Sequence, residues 1–130
     1  MSAADAVLAG RREAESLMVD TCRITSGGDV VTDPETGTVT RERTTVYEGK
    51  CKVQSRATEA TNPEAGGATF TVVSRQVHIP ANAAEILDGY EVEITASLLN
   101  SFTVGKVYRV DGFTPDSFDT AARLPVKEIL

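Results

Sequence analysis

The sequence predicts a mainly β protein: a small barrel or sandwich of about seven short antiparallel strands, preceded by an amphipathic N-terminal helix. Three observations point there. Apolar residues alternate with period two in short segments, separated at roughly 8–12-residue intervals by glycine, proline and aspartate. A sustained three-and-four rhythm is confined to Ser2 through Val19. The 10 glycines and 5 prolines suit a turn-rich chain, and aromatics at 5% with no tryptophan leave an aliphatic core. At 130 residues the chain is one domain, large enough to bury about two thirds of its unfolded surface. Its organisation reads as a helical arm at 1–19 and a β-barrel domain at 20–130 with a mobile loop at 56–68.

The arm is argued from spacing. Ala3, Val7, Gly10, Ala14, Leu17 and Met18 share one helical face. Ser2 and Asp5 stand at the positions of a capping box. Eighteen residues would reach roughly 27 Å. The apolar face is rich in alanine and glycine, and Gly10 lowers helix propensity by about 1 kcal/mol relative to alanine. Such an arm is marginal alone and is expected to be ordered by docking, either on its own barrel or on a neighbour.

From Asp20 the period becomes two. Cys22 and Ile24 face one way, and Thr21, Arg23 and Thr25 the other, until Gly27-Gly28. Val30 to Thr32 and Thr38 to Arg41 flank Asp33-Pro34-Glu35-Thr36-Gly37, a hairpin turn by its chemistry. That acidic turn lacks the alternating ligands of a calcium loop. Thr44 to Glu48 and Lys50 to Gln54 follow as strands divided by Gly49, with Cys51 and Val53 inward. Residues 56–68 are small, polar and glycine-rich without apolar period, which reads as a loop. Its length is that of functional rather than merely connecting loops.

Thr69 to Ile79 reads as a long strand whose apolar parity changes between Phe70/Val72 and Val73/Val77/Ile79, so a bulge is expected at Val73-Ser74. Pro80 ends it, and Ala83 to Leu87 suggests one helical turn. Tyr90 to Ser97 alternates cleanly, Phe102 to Phe113 supplies a strand pair or one bent strand, and Ala122 to Ile129 closes the domain.

Charge narrows the function. Thirteen basic against 19 acidic residues give a net charge of −6. A protein that grips nucleic acid needs a dominant positive field. The local exception is Arg41, Arg43, Lys50, Lys52 and Arg56, which reads as a solvated strand face or a contact for an acidic partner. No run approaches the roughly 18 apolar residues of a membrane helix. Arg11, Arg12, Glu13 and Glu15 interrupt any secretion signal, so synthesis in the cytoplasm is expected.

Catalytic patterns are sparse. Cys22 and Cys51 read as reduced, buried small hydrophobes, with a disulfide open if their strands pair. Two cysteines and one distant histidine make a poor zinc site. His78, the only histidine, has the polar parity of its strand and is expected at the surface or rim. Glu91 and Glu93 would lie about 7 Å apart, a glycosidase-like separation, but on the solvent side of a half-buried strand. Glycines 27–28 and 66–67 lack the lysine and helix of a phosphate loop. No catalytic, cofactor-binding or metal-binding residue is nominated. A nucleic-acid-binding barrel would need exposed aromatics in a basic groove, whereas Tyr47, Tyr90 and Tyr108 are scattered.

The ordered phrases LMVDTCRIT, DPETG, VYEGKCKVQ, VHIP, GYEVEITAS, GKVYRVDGF and AARLPVKEI span nearly the whole chain. In this order they resemble the head-to-tail connector proteins, of the head-closure or stopper type, of actinobacterial long-tailed phages. Each phrase is a strand and turn, so the order carries the likeness. Tyr90 departs from it, standing where an acidic residue commonly follows the glycine. The resemblance implies a non-enzymatic virion structural protein of the neck, without cofactor or membrane. Copies would form a homo-oligomeric ring between the portal or adaptor ring and the tail-terminator or tail-tube proteins. Genomic DNA would pass through the ring without specific binding. It also implies a gating loop, for which Arg56, Glu59, Asn62, Glu64, Gly66 and Gly67 are the candidates. Candidate contacts between rings or subunits are Asp33, Pro34, Glu35, Arg41, Arg43, Leu17 and Met18. The alternatives are a neighbouring ring component (tail terminator or head-tail adaptor) and a small nucleic-acid-binding barrel.

Overall fold

The computed structural model describes residues 2–27, 30–62 and 66–129. Its first element, α1, spans Ala3–Ser16 and opens with a complete capping box. Asp5 N donates to Ser2 Oγ at 3.1 Å, and Ser2 N donates to Asp5 Oδ2 at 3.2 Å, so two amides of the open first turn are satisfied. The helix ends before the expected Val19: Leu17 caps it and Met18 turns inward to 7% exposure.

The arm lies on its own barrel. Gly10 approaches Thr120 so closely that a Cβ there would stand 2.7 Å from the threonine methyl. Arg11 Nε donates to the Asp119 carbonyl at 3.1 Å, and Glu15 pairs with Lys50 at 2.9 Å. No residue of α1 is fully buried, so these few contacts carry the docking.

Among the described residues there are eight strands: β1 Asp20–Thr25, β2 Val30–Thr32, β3 Val39–Arg41, β4 Thr45–Asn62, β5 Ala68–Ile79, β6 Glu91–Ser97, β7 Val107–Val110 and β8 Ala122–Ile129. Six of them close an antiparallel barrel in the order β1-β4-β5-β8-β7-β6, and β2 with β3 forms a separate hairpin. Inward positions follow the predicted parity: Cys22, Ile24, Cys51, Val77, Ile79, Val92, Ile94, Tyr108 and Leu124 are fully buried. A barrel this narrow is filled by its own side chains. Its interior is a core and not a ligand cavity.

Five further expectations are corrected. Gly49 does not divide two strands, because β4 runs through it opposite Cys22. The glycine leaves room for Tyr47, whose hydroxyl sits 2.9 Å from where a Cβ would be and donates to the Lys50 carbonyl at 2.7 Å. Of the loop expected at 56–68, residues 56–62 and 68 are strand, and 63–65 lie outside the described residues: β4 continues to Asn62 and pairs in unbroken register with β5, from Arg56↔Ser74 to Asn62↔Ala68. That register also excludes the bulge at Val73-Ser74. The parity changes because β5 passes from a free ribbon into the barrel wall, where only Arg75 to Ile79 meet β8. Finally, Ala83 to Leu87 forms no helical turn, and Phe102 to Phe113 yields a 3-10 turn at Ser101–Thr103 followed by the four-residue β7.

In a closed antiparallel barrel successive connections alternate between ends. The β4–β5 ribbon and the β6–β7 loop therefore share one end with the entry of the arm. The β2–β3 hairpin and the links 80–90 and 111–121 share the other. Beyond the barrel the ribbon has seven paired residues per strand, a reach of roughly 23 Å.

Candidate assembly surfaces

Chemistry does not converge at the positions where it was sought. Glu91 and Glu93 are each engaged by arginine, Arg43 at 2.6 Å and Arg23 at 3.3 Å. Cys22 and Cys51 are free and wholly buried, and the hydrogen bond with Cys22, then burial, pushes the Cys51 thiol well above its usual range. Such a thiol is a poor nucleophile. Among the described residues no three histidine, cysteine or acidic side chains stand close enough to hold a metal ion. No helix is long and apolar enough to cross a membrane.

His78 departs from its expected place at the surface or rim. Its side chain points outward as the parity requires, yet it is only 6% exposed because α1 lies over it. Desolvation, followed by the nearby Lys52 and Arg123 charges, pushes its pKa down to about 4, so the ring is neutral near pH 7. Its Nε2 lies 3.3 Å from Gln76 Oε1.

His78 forms the floor of a groove of about 580 Å³ between the arm and the outer faces of β4, β5 and β8. Lys52, Arg56 and Arg123 line it, and Glu13 is its one acidic lining residue. The basic run 41–56 is thereby divided. Arg43 is consumed in an ion pair with Glu91 of the barrel and Lys50 in one with Glu15 of the arm, whereas Lys52 and Arg56 have no carboxylate partner among the described residues. Arg123 likewise binds only neutral oxygens, those of Thr120 and Ala121. Sequence reading missed Arg123 and the groove because Arg123 is distant in the chain from Lys52.

The β2–β3 hairpin projects from the opposite end. Asp33 N donates to the Thr38 carbonyl at 2.8 Å, Gly37 N donates to the Asp33 carbonyl at 2.8 Å, and Gly37 takes a φ of 71°. Glu35 N donates to Asp33 Oδ1 at 2.9 Å, and that bond lowers the Asp33 pKa. Asp33, Pro34 and Glu35 are thus presented together on an exposed turn. Arg41 ends β3 opposite Val30. Arg43 is not brought to them, being tied to Glu91.

On the arm the two nominated residues part company. Leu17 is 56% exposed and available for contact, whereas Met18 is buried and belongs to the junction with the barrel. Of the gating candidates, Arg56 stands where the ribbon leaves the barrel, Glu59 opposes Thr71 and Asn62 opposes Ala68. Gly66 and Gly67 have φ of 73° and 80°, leading the turn back into β5, and Glu64 lies outside the described residues.

Leu98, Leu99 and Phe102 in the β6–β7 loop, all at least 78% exposed, form an apolar rim that sequence reading passed over. Leu98 N donates to the Val19 carbonyl at 3.1 Å, which holds this rim beside Leu17 at the arm's exit. The signal was present as apolar side chains in a segment without a strand period. Leu87 and Phe118 expose further apolar surface at the opposite end.

A family model described as a family of unknown function (DUF6093) matches residues 10–127. The chain belongs to this family. The match runs from Gly10 in α1, through both hairpins, into β8. No curated protein and no solved structure matches the chain.

Proposed function

We propose that this chain is a structural subunit of a phage neck, a head-to-tail connector of the stopper type. Copies form a ring between the portal or adaptor ring and the tail, and the ring extends and gates the DNA channel. The observation that carries this reading is the β4–β5 ribbon. A closed barrel with a filled interior has no site within, yet it projects a two-stranded arm roughly 23 Å beyond its wall. Directed into a ring lumen, a ribbon of that reach obstructs the passage, and its displacement opens it.

Two further features fit. Exposed apolar residues occupy both ends of the barrel, Leu98, Leu99 and Phe102 at one and Leu87 and Phe118 at the other, as a body stacked between two partners requires. The net charge of −6 limits phosphate contacts, each of which would add affinity and slow DNA passage.

Deletion of residues 58–67 tests the gating role. The shortened protein is expected to fold and enter particles, while the filled heads lose DNA; heads that retain DNA would refute gating by the ribbon. Electron micrographs of the native particle test the position. Density for this chain at the head-tail junction supports the stopper reading, and density at the tail tip or on the capsid shell overturns it. A location one ring nearer the head or the tail distinguishes adaptor and terminator from stopper.

A further inference from the structure

We propose that the groove beneath the arm receives the acidic turn of the β2–β3 hairpin of a second copy, with Asp33 and Glu35 facing Lys52, Arg56 and Arg123. The proposal rests on the ring reading above and names the contact that would build the ring.

Charge complementarity is the first argument. Three cations converge on one groove, and none has a carboxylate partner among the described residues. The hairpin presents two carboxylates at the end of a short hydrogen-bonded turn, with Asp33 Oδ1 already oriented by the Glu35 amide. The second argument is apolar. The groove is bordered by Ala14 and the half-exposed Leu17, and the hairpin carries Val30 at 58% and Val39 at 62% exposure. A two-stranded hairpin with its valines in water lacks a core of its own. All described side chains of residues 30–40 are exposed, so the hairpin does not occupy the groove of its own chain.

Geometry supplies the third argument. The hairpin leaves one end of the barrel, while the groove lies on the outer face of β4, β5 and β8. A contact between two different patches is heterologous, and repetition of such a contact closes a ring when the rotation allows. Exposed ion pairs are individually weak. Closure multiplies them, because the last subunit binds through two contacts at once.

The test uses the full chain at millimolar concentration. Thr36→Cys places a thiol in the turn and Gln54→Cys places one in the groove, leaving every charge named here intact. Cys22 and Cys51 are wholly buried and do not compete. Under mild oxidation a mixture of the two variants is expected to form the mixed disulfide dimer at least about tenfold above either variant alone. Adding Lys52→Glu and Arg123→Glu to the groove variant should abolish that excess, and adding Asp33→Lys and Glu35→Lys to the hairpin variant should restore it. The neutral pair Lys52→Gln and Arg123→Gln, which introduces no new charge, should also lose the excess should the reversal disturb folding. No excess in the mixture, or an excess insensitive to these charges, overturns the proposal. So does retention of a DNA oligonucleotide on a filter that depends on Lys52 and Arg123, because the groove is then a nucleic-acid site. A failed crosslink in a protein that still lies at the head-tail junction removes this contact alone. A formed crosslink in a protein absent from that junction removes the ring reading and leaves the contact standing.

Discussion

Val92 and Val73 are the same side chain in the same kind of strand, yet one is wholly buried and the other 63% exposed. Between them lies the division of the molecule. The barrel wall closes on itself and covers its apolar face without help. The β4–β5 ribbon and the β2–β3 hairpin are two-stranded pieces in which Val73, Val30, Val31 and Val39 remain in water, a state that two strands alone hold poorly. The barrel is the self-sufficient part, and the projections leave apolar side chains uncovered.

The sharpest way to break that comparison is by truncation. Leu124→Ala in the barrel interior should lower unfolding free energy by about 2–5 kcal/mol, through lost burial and the cavity left behind. Val73→Ala on the ribbon should change it by no more than about 0.5 kcal/mol. Urea unfolding of both variants checks the difference. A ribbon variant as costly as the barrel variant would mean that the ribbon belongs to the cooperative core.

The same division explains what was legible in the sequence. Cys22, Ile24, Val92, Ile94 and the whole of β8 declared themselves because a strand with one face in a core must alternate. The capping box and the turn at Asp33 were legible because their chemistry is local. The sequence reads as a loop at the ribbon because the described side chains there are exposed, and alternation then carries no signal. Gly49 was misread because its reason is the overlying Tyr47 ring. His78 and the groove were hidden for another reason: their burial comes from α1, some sixty residues away in the chain, and no local pattern reports that.

Acid gives the next largest effect and tests the cover that α1 places on His78. Lys52, Arg56 and Arg123 face the groove from the barrel and Glu13 from the arm. The folded-state pKa of about 4 lies below the ordinary 6.5, so between these values the unfolded chain binds a proton that the folded one refuses. Stability therefore falls as pH drops through this window, by about 2 kcal/mol between pH 7 and 4.5. His78→Gln should remove that part of the slope. Urea melts at the two pH values read it directly, and an unchanged slope in the variant would show that His78 is not covered in solution.

The smallest expected effect concerns the arm, which stands between the two regions in character. Its contacts with the barrel begin at Gly10 and Arg11 and end at Glu15. The first turn is exposed, and its side-chain hydrogen bonds are those between Ser2 and Asp5. Ser2→Ala should cost about 1 kcal/mol, felt locally. Amide exchange in the first turns of α1 should then rise roughly fivefold, while β1 and β6 keep their protection. A parallel loss of protection in the barrel would place arm and barrel in one cooperative unit, and Gly10 against Thr120 would then be part of the core's own packing rather than the edge of a docked appendage.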